Sequence, residues 1–208
     1  GRLAAMVLGG VDVERLALNH EWLWTGANRT RDTEPRADRL AEVRQLLAEG
    51  RYAEATQLGN EAFGSVSGRR EQPNHVDPYQ PAGDLCFAIA HASEVEDYHR
   101  QLDLSNGLCT VSYRAEGVAY RRQYLAHLPS DLLLVRITAD QPFDLRVWLR
   151  RVDDPRCHLQ HGPLTLDGVF DGGTAFHVSA TATVRDGVTH WDEEVLVAEQ
   201  AGEVLLAV

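Results

Sequence analysis

Two short aromatic stretches hold the residues best suited to touching a ligand. Leu-Asn-His-Glu-Trp-Leu-Trp-Thr-Gly, residues 18–26, sets two of the four tryptophans two positions apart, beside an amide, an imidazole and a carboxylate. Asp-Pro-Tyr-Gln-Pro-Ala-Gly-Asp-Leu, residues 77–85, packs an aromatic ring, a carboxamide, two prolines and two carboxylates into nine positions. Aromatic faces stack on the C–H faces of sugars. Amide and imidazole groups reach the hydroxyls. Asn19, His20, Trp22, Tyr79 and Gln80 are therefore candidate carbohydrate contacts. The same residues also suit packing, since tryptophan fills cores and Pro-Tyr-Gln-Pro makes a stiff corner.

Other chemistry finds little footing. The chain has no GxSxG elbow, P-loop, GxGxxG or HExxH. His158 and His161, beside Cys157, have the spacing of a partial metal site, but Asp154-Pro155 and Gly162-Pro163 on either side read as loop, and zinc needs three or four ligands. The stretch Asp167 to Gly173 lacks the spacing and bidentate glutamate of a calcium loop and reads as a turn between strands. Glycoside hydrolysis runs on paired carboxylates. The available pairs, Asp153-Asp154 and Asp192-Glu193-Glu194, read as solvated turns or strand edges. No catalytic residue, metal or cofactor is expected from this chain. Cys86, Cys109 and Cys157 form no CxxC pair and read as small buried hydrophobes.

The elements that would position the aromatic stretches follow from periodicity. Leu3 to Leu8 and Val11 to Leu18 flank Gly9-Gly10 and predict a hairpin, followed by a loop to Thr33. From Pro35, the apolar positions Leu40, Val43, Leu46 and Leu47 follow helical spacing up to Gly50. A second helix follows, with Tyr52, Ala55, Gly59, Ala62 and Phe63 on one face, so that a helical hairpin spans residues 35–63. Residues 64–78 read as a loop. Beyond Gly83 the period falls to two: Cys109, Val111, Tyr113 and Ala115, then Val118 to Leu125, Leu132 to Ala139, and Phe143 to Leu149. A further run extends from Phe176 to Val184, with turns at Glu116-Gly117, Pro129-Ser130-Asp131 and Asp186-Gly187. Short strands separated by such turns predict a mainly β fold, an antiparallel sandwich with one inserted helical hairpin. One domain over residues 1–208 is expected, cut at both ends.

Bulk composition narrows the partners. The formal net charge is −11, and every one of the 20 basic residues is arginine. Excess acid repels phosphate backbones and anionic lipid, which leaves nucleic acid and membrane surfaces as poor partners and a neutral ligand as a better one. No segment approaches the apolar length of a membrane span. The cellular compartment is not readable.

A set of ordered motifs carries a family resemblance. Gly-Arg-Leu-Ala-Ala-Met-Val-Leu-Gly-Gly (1–10), Leu-Asn-His-Glu-Trp-Leu-Trp-Thr-Gly (18–26), Tyr-Gln-Pro-Ala-Gly-Asp-Leu (79–85) and Tyr-His-Arg-Gln-Leu-Asp-Leu (98–104) are followed by Val-Ser-Tyr-Arg (111–114) and Leu-Leu-Val-Arg-Ile-Thr-Ala-Asp (133–140). In this order they resemble the N-terminal domain of glycoside hydrolase family 95, the α-L-fucosidase family, across essentially the whole chain. The resemblance implies a supersandwich-like β domain, akin to that of the family 65 phosphorylases, packed on a downstream (α/α)6 barrel that bears the catalytic acid and base. It also implies a terminal α-L-fucoside on an oligosaccharide as substrate. The chain departs from the common Asn-Glu-Asp-Thr-Leu-Trp-Ser-Gly at His20 and Trp22, a change that fits an altered substrate preference and keeps α-L-galactoside in view. Alone, residues 1–208 are expected to hydrolyse nothing. A free-standing carbohydrate-binding module is the alternative.

Overall fold

The computed structural model describes residues 2–25, 35–63, 78–91, 94–171 and 174–208. The loops read from composition at 26–33 and 64–77 lie outside these. The chain divides into two compact units, Gly1–Thr25 with Tyr79–Val208, and Gly26–Pro78.

The larger unit is built from thirteen described strands: β1 (Leu3–Val7), β2 (Val13–His20), β3 (Gly83–Ala88), β4 (Glu96–Asp103), β5 (Leu108–Ala115), β6 (Val118–His127), β7 (Leu132–Arg150), β8 (Cys157–Gly162), β9 (Thr165–Phe170), β10 (Ala175–Ser179), β11 (Thr181–Arg185), β12 (Val188–Asp192) and β13 (Val195–Ala207). Every pairing is antiparallel. The fold class is the expected one, but its layers are two arms of one curled ten-stranded sheet beside a separate three-stranded sheet ordered β10-β9-β8.

The curl is made by β7 and β13. Residues 132–139 of β7 pair with β6, residues 146–150 pair with β3 on the same side, and β13 runs along the other side. The sequence reading split this strand in two at Asp140, because Asp-Gln-Pro interrupts the apolar alternation. The chain instead stays extended and bends. The register of β13 slips on either side of Ala201, Gln200 takes φ 53°, and Asp144 Oδ1 accepts the Gln200 N–H at 2.8 Å. A bulge of this kind increases local twist and folds one arm back over the other.

Alternation places Leu16, Leu85, Phe87, Val111, Ile137, Leu145, Val147 and Leu206 in the core between the arms, each at most 1% exposed. Polar groups join the arms as well. Tyr124 Oη donates to Glu14 at 2.9 Å, and Arg122 donates to the carbonyls of Gly10 and Val11 at 2.6 Å each. Glu14 and Arg122 are both fully buried. Tyr98 Oη donates to the Gly9 carbonyl at 2.9 Å, and Gly9 has φ 81°. A Cβ at Gly9 would run into the Tyr98 hydroxyl, so this turn tolerates no side chain there.

Three sequence expectations need correction. His158 and His161 stand on β8, not in a loop, and Asp167 lies within β9, not in a turn. The run from Phe176 to Val184 is two strands in different sheets, parted at buried Ala180. β8, β9 and β10 pair as successive hairpins, whereas β11 leaves them to pair with β13, a change of partner that the alternation from Phe176 to Val184 does not report.

The smaller unit holds a short 3-10 turn (Ala37–Arg39), α1 (Leu40–Ala48) and α2 (Tyr52–Phe63), within the range predicted. Gly50, at φ 73°, closes α1. Leu46 and Ala55 are its buried residues, while Leu40, Leu47, Tyr52 and Phe63 stay exposed.

Candidate functional site

The turn after β2 places the first aromatic stretch. Leu23 N–H donates to the His20 carbonyl at 3.0 Å, and the buried Leu23 side chain (4% exposed) anchors the turn. Trp22 and Trp24 are thereby held outward, 61% and 43% exposed. The Arg2 guanidinium lies 4.2 Å from the Trp22 ring and reaches Glu21 at 3.5 Å. His20 meets Trp22 edge-on at 5.6 Å, accepts its N–H at Nδ1 (3.4 Å), and sets Nε2 3.9 Å from Asp131.

The second stretch folds against the first. Trp24 and Tyr79 form an isolated antiparallel bridge, and the Gln80 N–H donates to the Leu23 carbonyl at 2.9 Å. Behind them sits Arg151, 8% exposed. Its guanidinium donates to the Pro81 carbonyl at 3.1 Å and the Gln80 carboxamide oxygen at 3.2 Å, with Phe170 and Phe176 at 5.2 and 5.6 Å. Among the described residues no carboxylate pairs with this guanidinium, and carbonyl oxygens and aromatic faces replace its water.

Beside the tryptophan turn runs a groove of about 430 Å³. It is lined by His20, Trp22 and Asp131, by residues 174–179, and by apolar side chains including Leu3, Leu132 and Val208. Thr174 Oγ1 donates to the Trp24 carbonyl at 2.9 Å, joining the lead-in to β10 to the tryptophan turn. His177, on β10, is paired with Asp167 at 2.7 Å. The volume and the mixture of an apolar floor with a few polar groups are those of a small-ligand site.

Of the five residues singled out in sequence, His20 and Trp22 line the groove. Asn19, one position before His20 on β2, points to the opposite face of the sheet. Tyr79 is 39% exposed against Trp24, and Gln80 is 7% exposed with its oxygen taken by Arg151. Asp131, Thr174 and His177 were not singled out. Asp131 read only as turn chemistry, and His177 lay unremarked within the run from Phe176 to Val184. Among the described residues no three His, Cys, Asp or Glu side chains gather in a way that could hold a metal ion. The cysteines are free, and burial pushes the thiols of Cys86, Cys109 and Cys157 upward.

Fold and groove together define an antiparallel β domain that presents an exposed aromatic side chain at a small groove. The match is specific: the family model "Glycosyl hydrolase family 65, N-terminal domain" covers residues 1–208, and the chain belongs to that family. It is 37% identical over 148 residues to "Alpha-L-fucosidase 2" of Arabidopsis thaliana, covering 70% of this chain and 16% of that protein. It is 24% identical over 143 residues to "Probable alpha-fucosidase A" of Aspergillus oryzae, covering 67% and 19% respectively. The chain thus spans less than a fifth of the length of these curated relatives. A solved "Putative kojibiose phosphorylase from human microbiome" superimposes with TM-score 0.31 at 11% identity, over 60% of this chain and 23% of that one, a level from which no shared fold follows.

Proposed function

We propose that this chain is the front domain of a larger glycoside hydrolase that removes terminal α-L-fucose from oligosaccharides. In this reading the catalytic acid and base reside on a separate (α/α)6 barrel, and this domain packs on that barrel and shapes the mouth of its active site. The observation that carries the reading is the 37% identity to a protein named as an α-L-fucosidase over 70% of this chain.

The groove supports it. A ring as exposed as Trp22 offers a stacking face for a sugar, with His20 and Asp131 beside it for hydroxyls. Tyr79 and Gln80 act at one remove: Gln80 and Arg151 hold the loop, and Tyr79 braces Trp24. Asn19 lies on the opposite face of the sheet and takes no part in the groove.

The test is turnover of p-nitrophenyl α-L-fucoside. The complete gene product should hydrolyse it in preference to the α-L-galactoside, and residues 1–208 alone should leave both intact. Hydrolysis by the isolated chain, abolished by changing one of its own carboxylates, would overturn the proposal. Exposure of Trp22 also favours a second reading, in which the domain binds fucosylated glycans by itself. Calorimetry with millimolar fucosylated trisaccharide and residues 1–208 decides that one.

A further inference from the structure

Of the five asparagines in the chain, Asn106 alone precedes a glycine. Residues 104–107 turn the chain from β4 into β5, and Gly107 takes φ 71°, a conformation that suits glycine best. The turn therefore asks for a residue without a Cβ directly after Asn106. That leaves the Gly107 nitrogen little hindered from attacking the Asn106 side chain. In the attack a bond forms from the Gly107 nitrogen to Asn106 Cγ, the nitrogen gives its proton to solvent hydroxide, and Nδ2 leaves as ammonia. Water then opens the five-membered imide at either carbonyl. One water is consumed and one ammonia released, leaving aspartate or isoaspartate at position 106 with no change of oxidation state.

The fold surrounds this pair with restraints. The Gly107 N–H, whose proton the attack must remove, donates to the Asp103 carbonyl at 2.8 Å. The side chain under attack is held at both ends: Nδ2 donates to Asp103 Oδ2 at 2.9 Å, and Oδ1 accepts the Leu108 N–H at 2.9 Å. Asp103 is itself fixed, since its Oδ1 accepts the Ser105 N–H at 2.9 Å and the Ser105 hydroxyl at 2.6 Å. Those bonds hold its carboxyl below the usual range, so it is ionised at neutral pH. Hydrogen bonds to an ionised acceptor are the strong ones. Removing the Gly107 proton breaks the bond to the Asp103 carbonyl, and expelling Nδ2 breaks the bond to the Asp103 carboxylate. Residues 103–107 are all exposed, so water and hydroxide reach the turn, and protection falls to these hydrogen bonds.

We infer that Asn106-Gly107 is a deamidation site and that Asp103, a positioning residue, holds it closed in the folded chain through its carbonyl and its carboxylate. Conversion sets a second carboxylate where Nδ2 now donates to Asp103, and like charges at that contact loosen the turn. The adjoining strand β4 carries Tyr98 and Arg100, whose side chains hold the carbonyls of Gly9 and Leu8 at the first hairpin. This chemistry is independent of the groove and of the fucosidase reading.

The test keeps residues 1–208 in warm, mildly alkaline buffer and follows position 106 by peptide mapping and mass spectrometry that separate aspartate from isoaspartate. Conversion should be about tenfold or more slower in the folded chain than in the same chain unfolded in urea. Asp103→Ala, shown to be folded by circular dichroism, should convert about tenfold faster than the folded parent and at the parent's rate in urea. Ser105→Ala removes the hydroxyl bond from the same turn but leaves every bond of Asn106 and Gly107, and should stay within about twofold of the parent.

No conversion at position 106 in urea would remove the site. Equal rates in the folded and unfolded parent would remove the protection, and this comparison decides the matter even if Asp103→Ala does not fold. A folded Asp103→Ala that converts at the parent's rate, or a Ser105→Ala as fast as Asp103→Ala, would take the role away from Asp103.

Discussion

Trp24 and Tyr79 meet edge-on, ring centroids 5.1 Å apart, and their backbones form an antiparallel bridge across 55 positions of sequence. This clasp brings together the two ends of the excursion between β2 and β3. Edge-to-face aromatic pairs contribute about 0.5–1.5 kcal/mol beyond area burial. Tyr79→Ala should lower stability by about 1 kcal/mol and change Trp24 fluorescence, read by urea denaturation followed at the tryptophan emission. An unchanged midpoint and spectrum would show that the clasp contributes nothing.

Arg151 secures the same loop from behind. Arg151→Met keeps much of the stem's packing against Phe170 and Phe176 but orphans the Gln80 oxygen and the Pro81 carbonyl. Leaving buried acceptors unpaired costs about 1–3 kcal/mol. Proteolysis should cut the variant faster near residues 78–82, at sites that the parent protects.

Between the arms of the sheet, Glu14 accepts N–H groups from Gly9 and Arg15 at 2.9 and 3.0 Å, and the Tyr124 hydroxyl at 2.9 Å. Burial, followed by the Glu14 carboxylate, pushes the Tyr124 phenol upward, so it stays a donor at any ordinary pH. Tyr124→Phe should cost about 1–2 kcal/mol, and Glu14→Ala about 3 kcal/mol or more, because the second change also strips acceptors from backbone donors. Guanidinium denaturation midpoints measure both.

His91 supplies a pH dependence. Its Nε2 lies 3.1 Å from the Tyr113 hydroxyl, and burial, then Arg122, lowers its pKa from the usual 6.5. The unfolded imidazole therefore takes up its proton at a higher pH than the folded one, and the folded state is favoured while the ring is neutral. Stability from this group is complete above pH 6.5 and declines as acidification carries the pH from there towards the lowered folded value. Melting temperatures at pH 7.5 and 5.5 should differ less in His91→Gln than in the parent. An identical difference would exclude His91 as the source.

Trp22 separates ligand contact from stability. At 61% exposure its replacement by alanine should shift the unfolding midpoint by about 0.5 kcal/mol or less. In the complete gene product, Trp22→Ala should raise KM for fucosylated trisaccharide about tenfold, with kcat changed far less. An unaltered KM would remove Trp22 from the proposed contact surface.

Local chemistry determined a good share of this molecule. Gly9-Gly10 announced the first hairpin, and Glu116-Gly117 announced a turn in which both residues take positive φ, 53° and 78°. Period-two alternation assigned the buried faces of β5 and the second half of β7, and period 3.6 located both helices, because main-chain geometry repeats over a few residues. Even the buried Arg122 sits in phase with Tyr120 and Tyr124, a signal that charge obscured. Tertiary structure alone decided that β7 runs unbroken through its bend, that His158 and Asp167 belong to strands, and that Phe176 and Ala182 part into different sheets. It also turned Asn19 away from His20, buried the Gln80 oxygen on Arg151, and brought Asp131 and His177 to one groove. Those outcomes depend on which strand supplies the hydrogen-bond partners, and a strand's own residues encode only its alternation, not its neighbours.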